Sequence, residues 1–248
     1  MPVAARAKAL DRLWPIDALR GFAVLGMVFY HAMWDLSFVG VYPGDVTLGG
    51  WRIFARSVAS TFLLLVGFNL ILLAARTPPA VARRRWLERG LKLLGWGIVI
   101  SLITWPLFGP QFIAYGVLHF IGTVLLLAPA ILRLQRFSIP LATVFLLGGP
   151  VLANRPVDTV WLLPLGLRPP HYVSVDYFPI FPWLGVVLLG VGLGRAYLAY
   201  RAGRLPAPSA APAWARPAVL LGRHSLTVYI LHQPVIIAIL LLLGVRFF

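Results

Sequence analysis

The chain has no cysteine. Disulfides, thiolate catalysis and cysteine metal sites are thereby excluded, and redox compartment cannot be inferred. Acids are scarce: seven Asp and Glu stand against 22 Lys and Arg, and charged residues make up 12% of the sequence. A carboxylate-rich metal cluster, HExxH, a Gly-rich phosphate loop and a Gly-x-Ser-x-Gly nucleophile elbow are all missing. Nucleotide hydrolysis and metalloprotease chemistry are therefore not expected, and no metal is. The basic start (Arg6, Lys8, Arg12) precedes an apolar run, but no small-residue cleavage site follows. We read an uncleaved first span, not a signal peptide.

What is present is apolar. Of 248 residues, 60% are hydrophobic, more than a soluble domain of this length can bury. The fold class is all-α: one polytopic transmembrane helix bundle, a single domain over 1–248, with the lipid bilayer as its solvent. The net charge of +15 suggests nucleic acid at first sight. The basic residues, however, sit in short loops between apolar runs, the topology signal of membrane proteins, so nucleic acid is discarded.

About seven spans are expected: Pro15–Trp34, Ile53–Ala75, Leu91–Phe108, Ile113–Leu132, the short Ile139–Leu152, Pro179–Ala199 and Ala218–Leu243. The longest irregular stretch runs over Ala153–Phe178, and a Pro/Ala linker covers Leu205–Pro217. Gly190 and Gly194 have the spacing of close helix packing, compatible with a homodimer or with packing inside one chain. With the N-terminus inside and the C-terminus outside, 17 of the 22 basic residues fall on the inner side. They are four through Arg20, six from Arg76 to Lys92, Arg133 and Arg136, and five from Arg195 to Arg223. Asp35, Asp45, Asp158 and Asp176 then lie outside. No internal repeat of the transporter kind is visible.

The first span organises the chemistry. On a helical wheel Asp17, Arg20, Val24, Val28, His31 and Asp35 form one stripe, and Asp17 to Asp35 covers about 27 Å. Charged groups inside a membrane are costly, and their default reading is functional. His31 is a candidate general base, because its ordinary pKa lies near neutrality; Asp35, one turn on, is placed to orient its ring. In the last span Ser225, Tyr229 and His232 share a face, with Arg223 and His224 at its inner mouth. Tyr115 and His119 share a face with Gly122. Arg85, Arg89 and Lys92 lie on one helical face and could grip phosphates, although positive-inside topology accounts for them equally. DYFPIFPW (Asp176–Trp183) could line an acceptor site or belong to an aromatic belt.

The segments RLWPIDALRGFAVLGMVFYHAMWDL, FLLLVGF (Phe62–Phe68), YGVLHFIG (Tyr115–Gly122), DYFPIFPW and LGRHSLTVYILHQP (Leu221–Pro234) together resemble the bacterial branch of the heparan-alpha-glucosaminide N-acetyltransferase catalytic-domain family. The IDxLRG start is also similar to the wider superfamily of membrane acyltransferases that O-acylate envelope polysaccharides. The resemblance implies acetyl transfer from cytosolic acetyl-CoA, across the membrane, to a sugar. The family's catalytic histidine lies in a His-Ala-x-Trp-Asn segment. Here that segment is His31-Ala32-Met33-Trp34-Asp35, so the role falls on His31, with Asp in place of Asn.

The resulting expectation is an acetyl-CoA-dependent acyltransferase of the plasma (inner) membrane, acting on a glycan or amino-sugar acceptor. Asp17, Arg20, Arg85, Arg89 and Arg223 form a basic inner mouth for the CoA phosphates. The pantetheine arm passes His232, and His31 acts as base with Asp35 or Asp176 orienting it, a transient acetyl-imidazole on His31 being the rival chemistry. Trp34, Tyr115, His119, Asp176 and Tyr229 serve the substrate side. A transporter or flippase of a lipid-linked sugar is the alternative that needs no acyl donor.

Overall fold

The structure, a computed structural model, describes residues 13–202 and 210–245. Arg6, Lys8, Arg12, Arg204, Arg246 and the linker from Leu205 to Ser209 lie outside the described residues. Among those described, every named element is helical: α1 (Trp14–Phe38), α2 (Gly49–Arg76), α3 (Pro79–Phe108), α4 (Val117–Leu126), α5 (Ala128–Arg133), α6 (Ser138–Ala153), α7 (Ile180–Arg201), α8 (Arg216–Arg223) and α9 (Ser225–Leu242).

Six of these, α1, α2, α3, α6, α7 and α9, are long and apolar enough to cross a membrane. The expected fourth span is in two pieces. α4 has ten residues, Leu127 separates it from α5, and Pro129 removes a backbone donor at the start of α5. The third span is longer than its apolar run. α3 begins at Pro79, so the basic segment Arg83–Lys92 is helix, and its 30 residues extend about 45 Å. The last span is broken at His224, which divides α8 from α9. Many large apolar side chains are exposed, Leu102, Ile103, Val144 and Leu147 among them. That is the expected outer surface of a polytopic bundle, where lipid tails are as apolar as the side chains they meet.

The chain forms two compact units, divided within α2 after Phe62 and again at the 203–209 segment. The first unit contains α1, the start of α2, α8 and α9. Here α1 and α8 meet backbone to backbone. A Cβ on Gly21 would lie 1.9 Å from the carbonyl oxygen of Ala218, and one on Gly222 would lie 1.8 Å from that of Asp17. Only glycine permits that approach.

The second unit holds the rest of α2 and α3 to α7, with an apolar core built on Leu63, Leu70, Trp86, Phe120, Val124, Val187 and Val191. Gly67 and Gly190 allow α2 and α7 to touch: their Cβ atoms would lie 1.9 Å from Val187 O and 2.1 Å from Leu64 O. Gly190 and Gly194 are thus both packed within the chain, Gly194 against Phe68 and Ile71.

Candidate functional site

The α1–α8 contact builds the charged end of the stripe. Asp17 is 3% exposed. Its Oδ1 lies 3.1 Å from Arg20 Nη1, and its Oδ2 lies 3.5 Å from Arg223 Nε. Arg20 also donates to the carbonyl of Gly222 at 3.3 Å. A buried carboxylate needs such partners. Both oxygens of Asp17 thus face cations, so it positions the two guanidiniums and is not itself a group for an anion. The Arg223 side chain is about half exposed.

Fourteen residues along α1, roughly 21 Å, lies the imidazole end. His31 Nδ1 is 2.9 Å from the carbonyl of Met27, and His232 Nδ1 is 2.6 Å from that of Tyr229. The two rings, from α1 and α9, have centroids 4.8 Å apart and planes at 69°. Tyr229 lies against His232 at 5.6 Å between ring centroids, and Trp34 stacks on Phe38 at 5.2 Å.

Asp35 differs from expectation. It is 2% exposed, and both its oxygens accept from the Gln233 side-chain amide, at 2.7 and 2.8 Å. It is turned to Gln233 of α9, not to the ring one turn back, and ties the C-terminal part of α1 to α9. Sequence reasoning passed over Gln233. The signal was there: an amide beside His232 in an apolar helix, and a buried polar group needs a partner.

The second unit gathers the other expected residues around the start of α4. Tyr115 stacks against His119 at 5.7 Å and donates to Thr123 Oγ1 at 2.9 Å. His119 lies over Gly97 of α3, where a Cβ would come within 2.9 Å of the ring, and its Nδ1 accepts from the Gly116 N–H at 3.3 Å. Its own N–H is therefore on Nε2 when the ring is neutral. Asp176 Oδ2 accepts from the Val117 N–H at 3.0 Å, at the N-terminus of α4, where a negative charge is favourable. Burial nevertheless pushes this carboxyl up to about 6, against the lowering effect of that hydrogen bond. The lead-in to α7 is laced to the same turn, with Val175 N donating to Gln111 O and Phe178 N to Tyr115 O, both at 3.0 Å.

Of the expected site residues, Asp17, Arg20, His31, Trp34, Asp35, Arg223, Tyr229 and His232 belong to the first unit. Arg85, Arg89, Tyr115, His119 and Asp176 belong to the second. Arg85 and Arg89 are exposed on α3. Beside them Arg84 pairs with Glu88 at 2.6 Å across one turn. A recess of about 360 Å³ in the 153–173 region is lined by Arg168, His171 and Tyr172 and by none of the expected site residues.

The family model "Heparan-alpha-glucosaminide N-acetyltransferase, catalytic" matches residues 12–234. No curated protein matches the chain, and no solved structure does. The match covers nearly the whole sequence, including both ends of the α1 stripe and the α8–α9 segment packed against it. With six apolar helices of membrane-spanning length, the chain is a multi-pass membrane protein, and it belongs to the heparan-alpha-glucosaminide N-acetyltransferase catalytic-domain family, a family of membrane acetyltransferases.

Proposed function

We propose that this protein transfers an acetyl group from cytosolic acetyl-CoA to a sugar or envelope-glycan acceptor on the outer side of the plasma membrane, with His31 as general base. The observation that carries the reading is the arrangement on α1. One helix carries Asp17 and Arg20, joined by Arg223 of α8, at one end and an imidazole with a hydrogen-bonded Nδ1 some 21 Å away. Arginine suits the phosphates of CoA, and Arg223 is the half-exposed member of the cluster. Asp17 holds Arg20 and Arg223 in place. Arg85 and Arg89 add positive charge on the same side, where the basic residues of the sequence concentrate.

The N-terminus inside and the C-terminus outside complete this reading. α4 and α5 with their joint make 17 residues, about 25 Å, and serve as the seventh crossing. At the outer end His31 Nε2 takes a proton from the acceptor hydroxyl or amine as that group attacks the thioester carbonyl. The developing oxyanion needs a donor nearby. Tyr115, His119 and Asp176 serve the acceptor side.

The test is thermal stability of the purified protein with acetyl-CoA, dephospho-CoA and free acetate. A saturable rise with acetyl-CoA, weaker without the 3′-phosphate, supports the arginine cluster as its site. His31→Ala should keep that rise and lose transfer. No rise at millimolar acetyl-CoA would sink the transferase reading and favour transport of an unmodified lipid-linked sugar.

A further inference from the structure

A backbone carbonyl can only accept a hydrogen bond. Met27 O at 2.9 Å and Tyr229 O at 2.6 Å therefore hold the N–H of neutral His31 and of neutral His232 on Nδ1. Each ring is left with its lone pair on Nε2. One such ring is enough for a base. Here there are two, edge to face, with centroids 4.8 Å apart. The second lone pair, on His232 Nε2, is buried and has no hydrogen-bond partner among the described residues. A buried acceptor without a donor is costly, and a catalytic role is one of the reasons such a group is kept in a native structure.

The proposed reaction makes that donor next door. Once His31 has taken a proton on Nε2, it is an imidazolium beside a neutral imidazole. The carboxylate one turn away, Asp35, is held by Gln233. The other titratable groups on the two helices are Tyr30, which donates to Val46 O, and Tyr229, whose ring lies against His232. The Asp17–Arg20–Arg223 cluster, shared by α1 and α8, is roughly 21 Å along α1. His232 is thus the neutral imidazole beside His31, its ring centroid 4.8 Å away.

We propose that His232 is the proton partner of His31: the proton taken from the acceptor passes to His232 Nε2 and is held there until the leaving thiolate collects it. This rests on the acetyl-transfer reading. The acceptor's N–H or O–H bond breaks, its proton goes to His31, and its electron pair forms the bond to the acetyl carbon. The C–S bond breaks with its pair on sulfur. The proton crosses to His232 and ends on that sulfur as CoA thiol, leaving both rings neutral. His232 acts through His31 in the first half of this sequence, a role distinct from lining the donor's path.

The experiment uses the full chain in detergent, acetyl-CoA as donor and glucosamine as acceptor probe, with CoA thiol release as the readout. His232→Gln keeps an acceptor near the Nε2 position but cannot carry the proton. It should retain the acetyl-CoA thermal shift and a KM within about threefold, while kcat falls on the order of 10²-fold. His232→Ala should be partly restored by added imidazole, and more by more basic substituted imidazoles. A wild-type kcat in His232→Gln would overturn the proposal. So would a loss in His232→Ala that no imidazole restores. Failure of the transfer reading shows instead in the wild type, as no thiol release. An independent arm labels the five histidines with ¹⁵N. His232 should be found protonated on Nδ1; an Nε2–H tautomer would overturn the pair whatever the turnover.

Discussion

Both carboxylate oxygens of Asp35 accept from one side-chain amide, that of Gln233, across 198 positions of sequence. This pair fixes where the C-terminal half of α1 meets α9, and so where His31 meets His232. An asparagine carbonyl at position 35 would accept from the same amide.

Asp35→Asn should therefore cost little, less than about 1 kcal/mol of stability, because one hydrogen bond from Gln233 remains. Gln233→Leu removes the donor and leaves a buried carboxylate. It should cost about 1–3 kcal/mol or more. Thermal unfolding of the two variants side by side checks this. Equal losses would mean that the pair does not hold the helices.

Gly222→Ala places a methyl group 1.8 Å from the Asp17 carbonyl oxygen. α8 must move off α1 and carry Arg223 from Asp17. The expected cost is about 1–3 kcal/mol, together with loss of the acetyl-CoA thermal shift. Arg223→Gln should separate the two effects. Arg223 is half exposed and its contact with buried Asp17 is loose at 3.5 Å, while Arg20 stays paired with Asp17 at 3.1 Å, so stability should fall less than in Gly222→Ala while the ligand shift weakens.

Asp176 has a pH signature. Its carboxyl is raised from 3.8 to about 6 by burial, so the folded protein binds this proton more tightly than the unfolded chain. The contribution to stability is present in full below about pH 4. It falls as pH rises to about 6 and is level beyond. Asp176→Asn, neutral throughout and still able to accept from Val117 N–H, should gain on the wild type over that window and then keep a constant lead. Melting curves from pH 4 to 7.5 decide it, and a difference independent of pH would refute the assignment.

Arg84 and Glu88 form an exposed i,i+4 pair at 2.6 Å. Glu88→Gln should leave stability nearly unchanged, and the difference should shrink further in high salt. A larger loss in a thermal melt would mean that the start of α3 depends on this pair.

Much of this architecture is legible in sequence because lipid leaves the backbone few choices. An apolar run of sufficient length must be a helix with its amides satisfied internally. That logic finds α1, α2, α6, α7 and α9, and the stripe of α1 follows from its period alone. It stumbles where hydropathy and helicity part. Arg83–Lys92 is too polar to read as span, yet it is good helix-forming sequence and continues α3. Pro129 sits in an unbroken apolar run, so hydropathy does not reveal the joint between α4 and α5. The site was half legible. Asp17 with Arg20 is local and visible. Gln233 against Asp35, and His232 against His31, are tertiary contacts between the ends of the chain, and no period within one helix encodes them. The family motifs were readable because they form an ordered set along nearly the whole chain.

The break at His224 has a consequence for how such a site can change. α8 sets the guanidinium end of the α1 face and α9 sets the imidazole end, and one non-helical residue separates them. The rotational phase of one helix is therefore not transmitted rigidly to the other. On the proposed function, substitutions that retune donor recognition through α8 would leave the His31–His232 contact on α9 in register. On that function, the two halves of the proposed chemistry would be open to separate adaptation within a single uninterrupted stretch of chain.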